Sequence, residues 1–158
     1  MKKLILITSL LLVAWVQTAL AARGDPSSEI ANFIYGLPRM IDDGKGKLCV
    51  YGYDQIAVEL KEKHKNITFF KNEDNVTLQI LQSNGCRILY LSKNKYSAIK
   101  LANDAKVISI GVEDNFVDRG GTIVVQIGRR SFELMINHKT IKESKIKLDP
   151  LLEGLIVN

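Results

Sequence analysis

Apolar side chains at Ile30, Phe33, Ile34 and Leu37 recur at helical spacing, so the chain's first packed element is predicted to be a helix with one buried face. Pro26-Ser27-Ser28-Glu29 supplies its start, a hydroxyl to cap and an acid near the positive end, and Pro38 ends or kinks it. Asp42-Asp43-Gly44-Lys45-Gly46 reads as a turn. Residues 47–52 form a compact apolar run closing at Gly52, a strand, after which Asp54 can cap a helix that turns Ile56, Ala57 and Leu60 inward. The pattern continues with a strand over 67–70, a helical turn or two over 74–82 and a strand over 87–91. A helix over 92–105, with Ile99, Leu101 and Ala102 apolar, and a strand over 106–111 follow.

Strands alternating with helices at this spacing predict a parallel sheet covered on both faces. The rhythm then changes. Residues 122–127 and 130–136, joined at Gly128-Arg129, read as an antiparallel hairpin at one side of that sheet. Residues 141–146 and 151–156 give two short helices, the second introduced by Asp149-Pro150. The expected fold is a single α/β domain, mainly parallel sheet flanked by helices, with a C-terminal antiparallel hairpin.

The N-terminus alters this picture. Lys2 and Lys3 precede an apolar run from Leu4 to Val16, and Ala19-Leu20-Ala21 follows, the signature of a secretory signal peptide over residues 1–21. The run is short of the roughly 20 apolar residues usual for a membrane span. No Cys stands at the cut site for lipid attachment. The expected mature domain is residues 22–158, exported and soluble, 137 residues long (158 less 21). Loss of Lys2 and Lys3 leaves 20 of the 22 cations against 17 acids, a net charge of +3. The cations are scattered among acids, so no basic stripe of the kind nucleic acid requires is present.

Export also bears on Cys49 and Cys86, the only two cysteines. An even count outside the cytoplasm predicts a disulfide. The two lie in or beside strands that are commonly neighbours in the order 2-1-3 of a doubly wound sheet. Catalytic signatures are missing. The sequence has no G-x-S-x-G elbow, H-E-x-x-H pair, G-x-G-x-x-G turn or P-loop, and His64 and His138 sit at polar helix or strand ends. Glu113, Asp114 and Asp118 share one loop but lack metal-site spacing, so no metal and no cofactor is expected. Asn66-Ile-Thr and Asn75-Val-Thr match the glycosylation triplet, which matters only in a host that uses it.

The remaining candidate is the loop from Glu113 to Gly121, after the carboxyl end of a central strand, where open α/β sheets place their crevices. Arg119 offers a planar donor fork, and Gly120 and Gly121 permit positive φ and close approach. Two readings stay open: a binding loop, or an arginine that ties down its own loop.

Together these residues resemble the YfiR/HmsC-like family. Asn32-Phe33 before Pro38, Leu48-Cys-Val-Tyr-Gly52 and Gly85-Cys-Arg-Ile-Leu-Tyr90 match its helix and first central strands. Asp114, Phe116, Arg119-Gly120-Gly121 and Ile123 match its loop. Phe132-Glu133, Ile136-Asn137, Leu148 and Leu151-Leu152 match its close. Leu37 stands where the family usually has Trp, Arg87 where it has His, and a second Cys pair of some members is missing. The resemblance implies a non-catalytic periplasmic protein that represses an inner-membrane diguanylate cyclase through the cyclase's periplasmic sensor domain. It would lower cyclic di-GMP and biofilm formation. Asp114, Phe116, Arg119, Gly120, Gly121 and Asn137 would be its partner or ligand residues, with monomer and homodimer both open. The alternative is a stand-alone periplasmic module that binds a small ligand or senses redox state.

Overall fold

The computed structural model describes residues 25–41, 44, 46–128 and 131–156. The signal-peptide expectation, most of the 42–46 turn and Arg129 lie outside these residues.

Helix α1, Pro26–Gly36, begins earlier than a hydroxyl cap at Ser27 or Ser28 predicts, because Asp25 is the cap. The Asp25 carboxylate accepts from the Ser27 N–H at 3.0 Å, leaving Pro26 in the first turn, where its missing N–H costs nothing. A 3₁₀ turn over Leu37–Met40 follows, with Pro38 inside it. Strand β1, Lys47–Tyr51, leads to helix α2, Gln55–Lys63, whose cap is Asp54, accepting from Ala57 N–H at 2.8 Å. Strand β2 is Thr68–Phe70.

Helix α3 spans Leu78–Ser83, later than the 74–82 expected. The intervening residues are claimed by other bonds. The Asp74 side chain accepts from Lys71 N–H at 2.6 Å, its carbonyl accepts from the Tyr51 hydroxyl at 2.9 Å, and Thr77 caps the helix instead. These side-chain bonds compete with helix formation.

Strand β3, Cys86–Leu91, is followed by a 3₁₀ segment, Lys93–Ala98, that becomes helix α4, Ile99–Asp104. The single helix expected over 92–105 is thus two segments, and the Ser92 hydroxyl donates to Asn94 (2.5 Å) rather than capping the first. Strand β4 is Ile108–Gly111; β5, Ile123–Ile127, and β6, Phe132–Ile136, form the antiparallel hairpin. Helix α5 runs His138–Ser144, three residues ahead of the expected start because Asn137 caps it. Helix α6 is only Pro150–Glu153. Beyond it the chain turns back along the sheet edge, with Leu134 N–H donating to Leu155 C=O at 2.8 Å.

The six strands lie in the order β2-β1-β3-β4-β5-β6, parallel except for β6. The period-2 alternation of the strands sorts their side chains into two cores. Leu48, Val50, Ile88, Tyr90 and Ile110 meet α1, α2 and the C-terminal segments, while Cys49, Leu89, Leu91 and Val124 meet α3, α4 and Phe116. Near-continuous burial of β3 and β4 is what a parallel sheet covered on both faces requires. Phe33 stacks on Phe132 with centroids 4.3 Å apart, tying α1 to the hairpin.

The disulfide joins Cys49 to Cys86 across neighbouring strands, Cα atoms 5.7 Å apart. Lys47 pairs with Cys86 but Leu48 with Ile88, so Arg87 is an extra residue in β3. Without that bulge Cys86 would share the face of Ile88 and Tyr90, opposite Cys49.

Candidate functional site

The loop between β4 and β5 stands on a polar clamp and an aromatic base. At the clamp, Thr122 N–H donates to Ser109 Oγ at 3.0 Å, and the two hydroxyls lie 3.2 Å apart. Both residues are fully buried, so each satisfies what the other would otherwise leave unpaired in the interior.

The base is Phe116, on a 3₁₀ turn over Asp114–Phe116 and with no exposed surface. Its ring packs edge-on against Tyr96 at 4.7 Å, and its carbonyl accepts from Gly121 N–H at 2.9 Å. The resemblance puts Phe116 among the partner-facing residues; its burial instead gives it the task of holding the loop against the sheet. Gly121 is also buried, and a Cβ there would stand 2.2 Å from the Phe116 ring. Gly120 has φ of +92°, the left-handed freedom anticipated from sequence, and its carbonyl accepts from Asn103 Nδ2 at 3.0 Å.

Asp114 and Arg119 remain exposed. The Arg119 guanidinium lies over the Tyr96 ring at 5.3 Å from its centroid, a cation–π contact that orients the side chain without burying its donors. Asp114 accepts a hydrogen bond from the Gln126 amide of β5. Glu113 pairs with Lys93 at 2.6 Å, and this bond raises the pKa of the exposed Lys93 ammonium. Asn137 joins the group through the hairpin: its N–H donates to Thr122 C=O at 2.8 Å while its side chain caps α5 by accepting from Thr140 N–H at 3.1 Å. The sequence-selected residues therefore divide into an exposed pair, Asp114 and Arg119, and a supporting set, Phe116, Gly120, Gly121 and Asn137.

Sequence reasoning missed Tyr96, which links Arg119 to Phe116. Its signal was its place three residues before Ile99, one helical turn away on the same apolar face. The outer surface of the loop carries an open depression lined by residues 112–115. Among the described residues no group of three or more His, Cys, Asp or Glu side chains is placed to hold a metal ion, and no helix is long and apolar enough to cross a membrane.

A family model described as YfiR/HmsC-like matches residues 28–155, which include both strands of the disulfide, the loop and the hairpin. The chain belongs to the YfiR/HmsC-like family. At the level of the family it is therefore grouped with periplasmic regulators rather than with enzymes.

Solved structures add the fold alone. A conserved domain protein from Vibrio cholerae is similar with a TM-score of 0.55 at 12% identity, covering 84% of this chain and 59% of that one. An ABC domain from Streptococcus pneumonia, in complex with L-Trp, is similar with a TM-score of 0.52 at 10% identity, covering 84% and 60%. This YfiR-like chain thus spans less than two thirds of either structure. No curated protein matches it.

Proposed function

We propose that residues 1–21 export this YfiR-like chain and that the domain from residue 22 to 158 represses an inner-membrane diguanylate cyclase. Its partner is the cyclase's periplasmic sensor domain, and its effect is to lower cyclic di-GMP and biofilm formation. The observation that carries this reading is the family match over residues 28–155. The loop geometry supports it: Asp114 and Arg119 project from a base fixed by Phe116, Tyr96 and the Ser109–Thr122 clamp.

Repression of this kind needs no chemistry. A partner that binds the inactive cyclase conformation more tightly than the active one shifts the population by that difference, and about 100-fold corresponds to roughly 2.7 kcal/mol. The alternative, a stand-alone module with a ligand in the Arg119 loop or a redox sensor in the cysteines, has less in its favour. The depression beside the loop is an open surface rather than an enclosed pocket, and Cys49 and Cys86 are shielded at 0% and 4% exposure.

Deletion of the gene in a host that expresses it should raise cyclic di-GMP and surface attachment, and the wild-type gene should restore both. Unchanged cyclic di-GMP in the deletion strain overturns the repressor reading.

A further inference from the structure

We propose a second site, at the opposite end of the sheet's strand order: a cavity beyond the carboxyl ends of β1 and β2 that binds a small organic anion with an aromatic or apolar body. It is independent of the cyclase reading, since it shares no residue with the Arg119 loop.

In a sheet ordered 2-1-3, ligands ordinarily sit between the ends of β1 and β3. Here that position is filled. Gly52 has φ of +106°, and a Cβ on it would lie 1.8 Å from Ser92 Oγ, so the β3 end is packed directly against β1. The open space is displaced one strand outward. A cavity of about 270 Å³ lies there, lined by Tyr53, Phe69 and Phe70 as its apolar wall and by Lys61, Lys71 and Glu73 among its polar residues.

Two observations indicate a ligand rather than a packing defect. The first is Tyr53, 67% exposed although its backbone is held on both sides. On one side Gly52 is wedged against Ser92; on the other Asp54 caps α2 and accepts from the buried Tyr90 hydroxyl at 2.8 Å. Burial, and then the neighbouring Asp54 charge, push the Tyr90 pKa far upward, so this anchor stays protonated. An aromatic ring is thus held out over the cavity by a rigid turn, a placement that contributes little to folding.

The second observation is charge. Lys61 and Lys71 are both exposed, and neither ammonium enters an ion pair among the described residues. With Glu73 on the rim, two cations and one acid leave the lining net positive. An aromatic wall beside unpaired ammonium groups is complementary to an arylalkyl carboxylate or a similar anion.

The test uses the mature chain, with 3-phenylpropanoate as the probe and its neutral amide as the control, followed by amide shifts in NMR and by calorimetry. The carboxylate should give saturable shifts confined to the segments of Tyr53 and residues 69–73, and the amide should bind about tenfold more weakly. The double variant Lys61→Gln/Lys71→Gln should weaken the carboxylate about tenfold while leaving the amide unchanged, and Tyr53→Ala should weaken both. Absence of saturable shifts at these residues at millimolar probe, or equal affinity for acid and amide, overturns the proposal. Because wild-type protein and two probes suffice to decide between these outcomes, misfolding of a variant does not obscure the result.

Discussion

The ring of Phe116 occupies the space that a side chain on Gly121 would need: a Cβ at Gly121 would stand 2.2 Å from one ring carbon and 2.7 Å from the Phe116 carbonyl. The two residues are coupled by exclusion, and the loop's path depends on it. Gly121→Ala should therefore destabilise the protein by about 1–3 kcal/mol through overpacking. Phe116→Ala should cost about 3–5 kcal/mol through the cavity it leaves. In the double variant the clash with the ring is gone while the carbonyl contact stays, so denaturant unfolding should give a total smaller than the sum of the singles. Strict additivity would show that the contact does not govern the loop.

The disulfide gives a second prediction. It closes a separation of 37 residues, which the chain-entropy account values at about 4 kcal/mol. Cys49→Ala should lower stability by about 2–5 kcal/mol. Since both sulfurs are buried, reductant should act on the native protein only as fast as the chain opens. Identical unfolding midpoints with and without reductant would count against a bridge in solution.

These two cases also mark how far the sequence could be read. The strand order 2-1-3, the Cys49–Cys86 bridge and the final hairpin followed from periodicity, compartment and spacing, because each is a repeating or paired signal. What escaped was governed by single side-chain bonds. Asp25 rather than a serine hydroxyl capped α1, Asn137 advanced α5, and Asp74 with Thr77 delayed α3, each a local competition that hydrophobic spacing does not register. The site divided in the same way. Arg119 and the glycines were legible as residue types, whereas the burial of Phe116 and the cation–π role of Tyr96 depended on how the loop folds back over the sheet. The bulge at Arg87 was invisible because it alters register without altering the apolar pattern of Ile88 to Leu91.

His64 carries a pH prediction. Its ring stacks on Tyr35 at 3.5 Å, its Nε2 is buried with no hydrogen-bond partner among the described residues, and burial, then the adjacent Lys63 charge, lower its pKa below 6.5. Above pH about 6.5 the ring is neutral in folded and unfolded chains alike. As the pH falls below that value the unfolded chain takes up the proton first, so stability declines until the lowered folded-state pKa is passed. Histidine NMR titration should place His64 below 6.5, and His64→Phe should flatten stability between pH 7 and 5. An unshifted titration would remove the basis for this slope.

The export reading predicts a mature chain that begins at Ala22. It rests on Lys2-Lys3, the apolar run and Ala19-Leu20-Ala21. Intact mass of the exported protein decides it, the expected loss being residues 1–21. A mass that retains Met1 through Ala21 would require a membrane-anchored form and a different geometry of approach to the cyclase.

Arg119 separates the function of the loop from its stability. The side chain is exposed, and its one described contact, over Tyr96, is worth about 0.5–1 kcal/mol at such a site. Arg119→Ala should therefore change the unfolding free energy by no more than about 1 kcal/mol, whereas Phe116→Ala, beneath the same loop, costs several times that. If the guanidinium meets the cyclase, the variant should raise cyclic di-GMP toward the level of the deletion strain at normal protein abundance. Arg119→Lys keeps the charge but loses the planar fork, so it should restore repression only in part. Wild-type cyclic di-GMP in a stable, normally abundant Arg119→Ala strain would move the partner surface elsewhere on the domain and leave Arg119 as a clasp for its own loop.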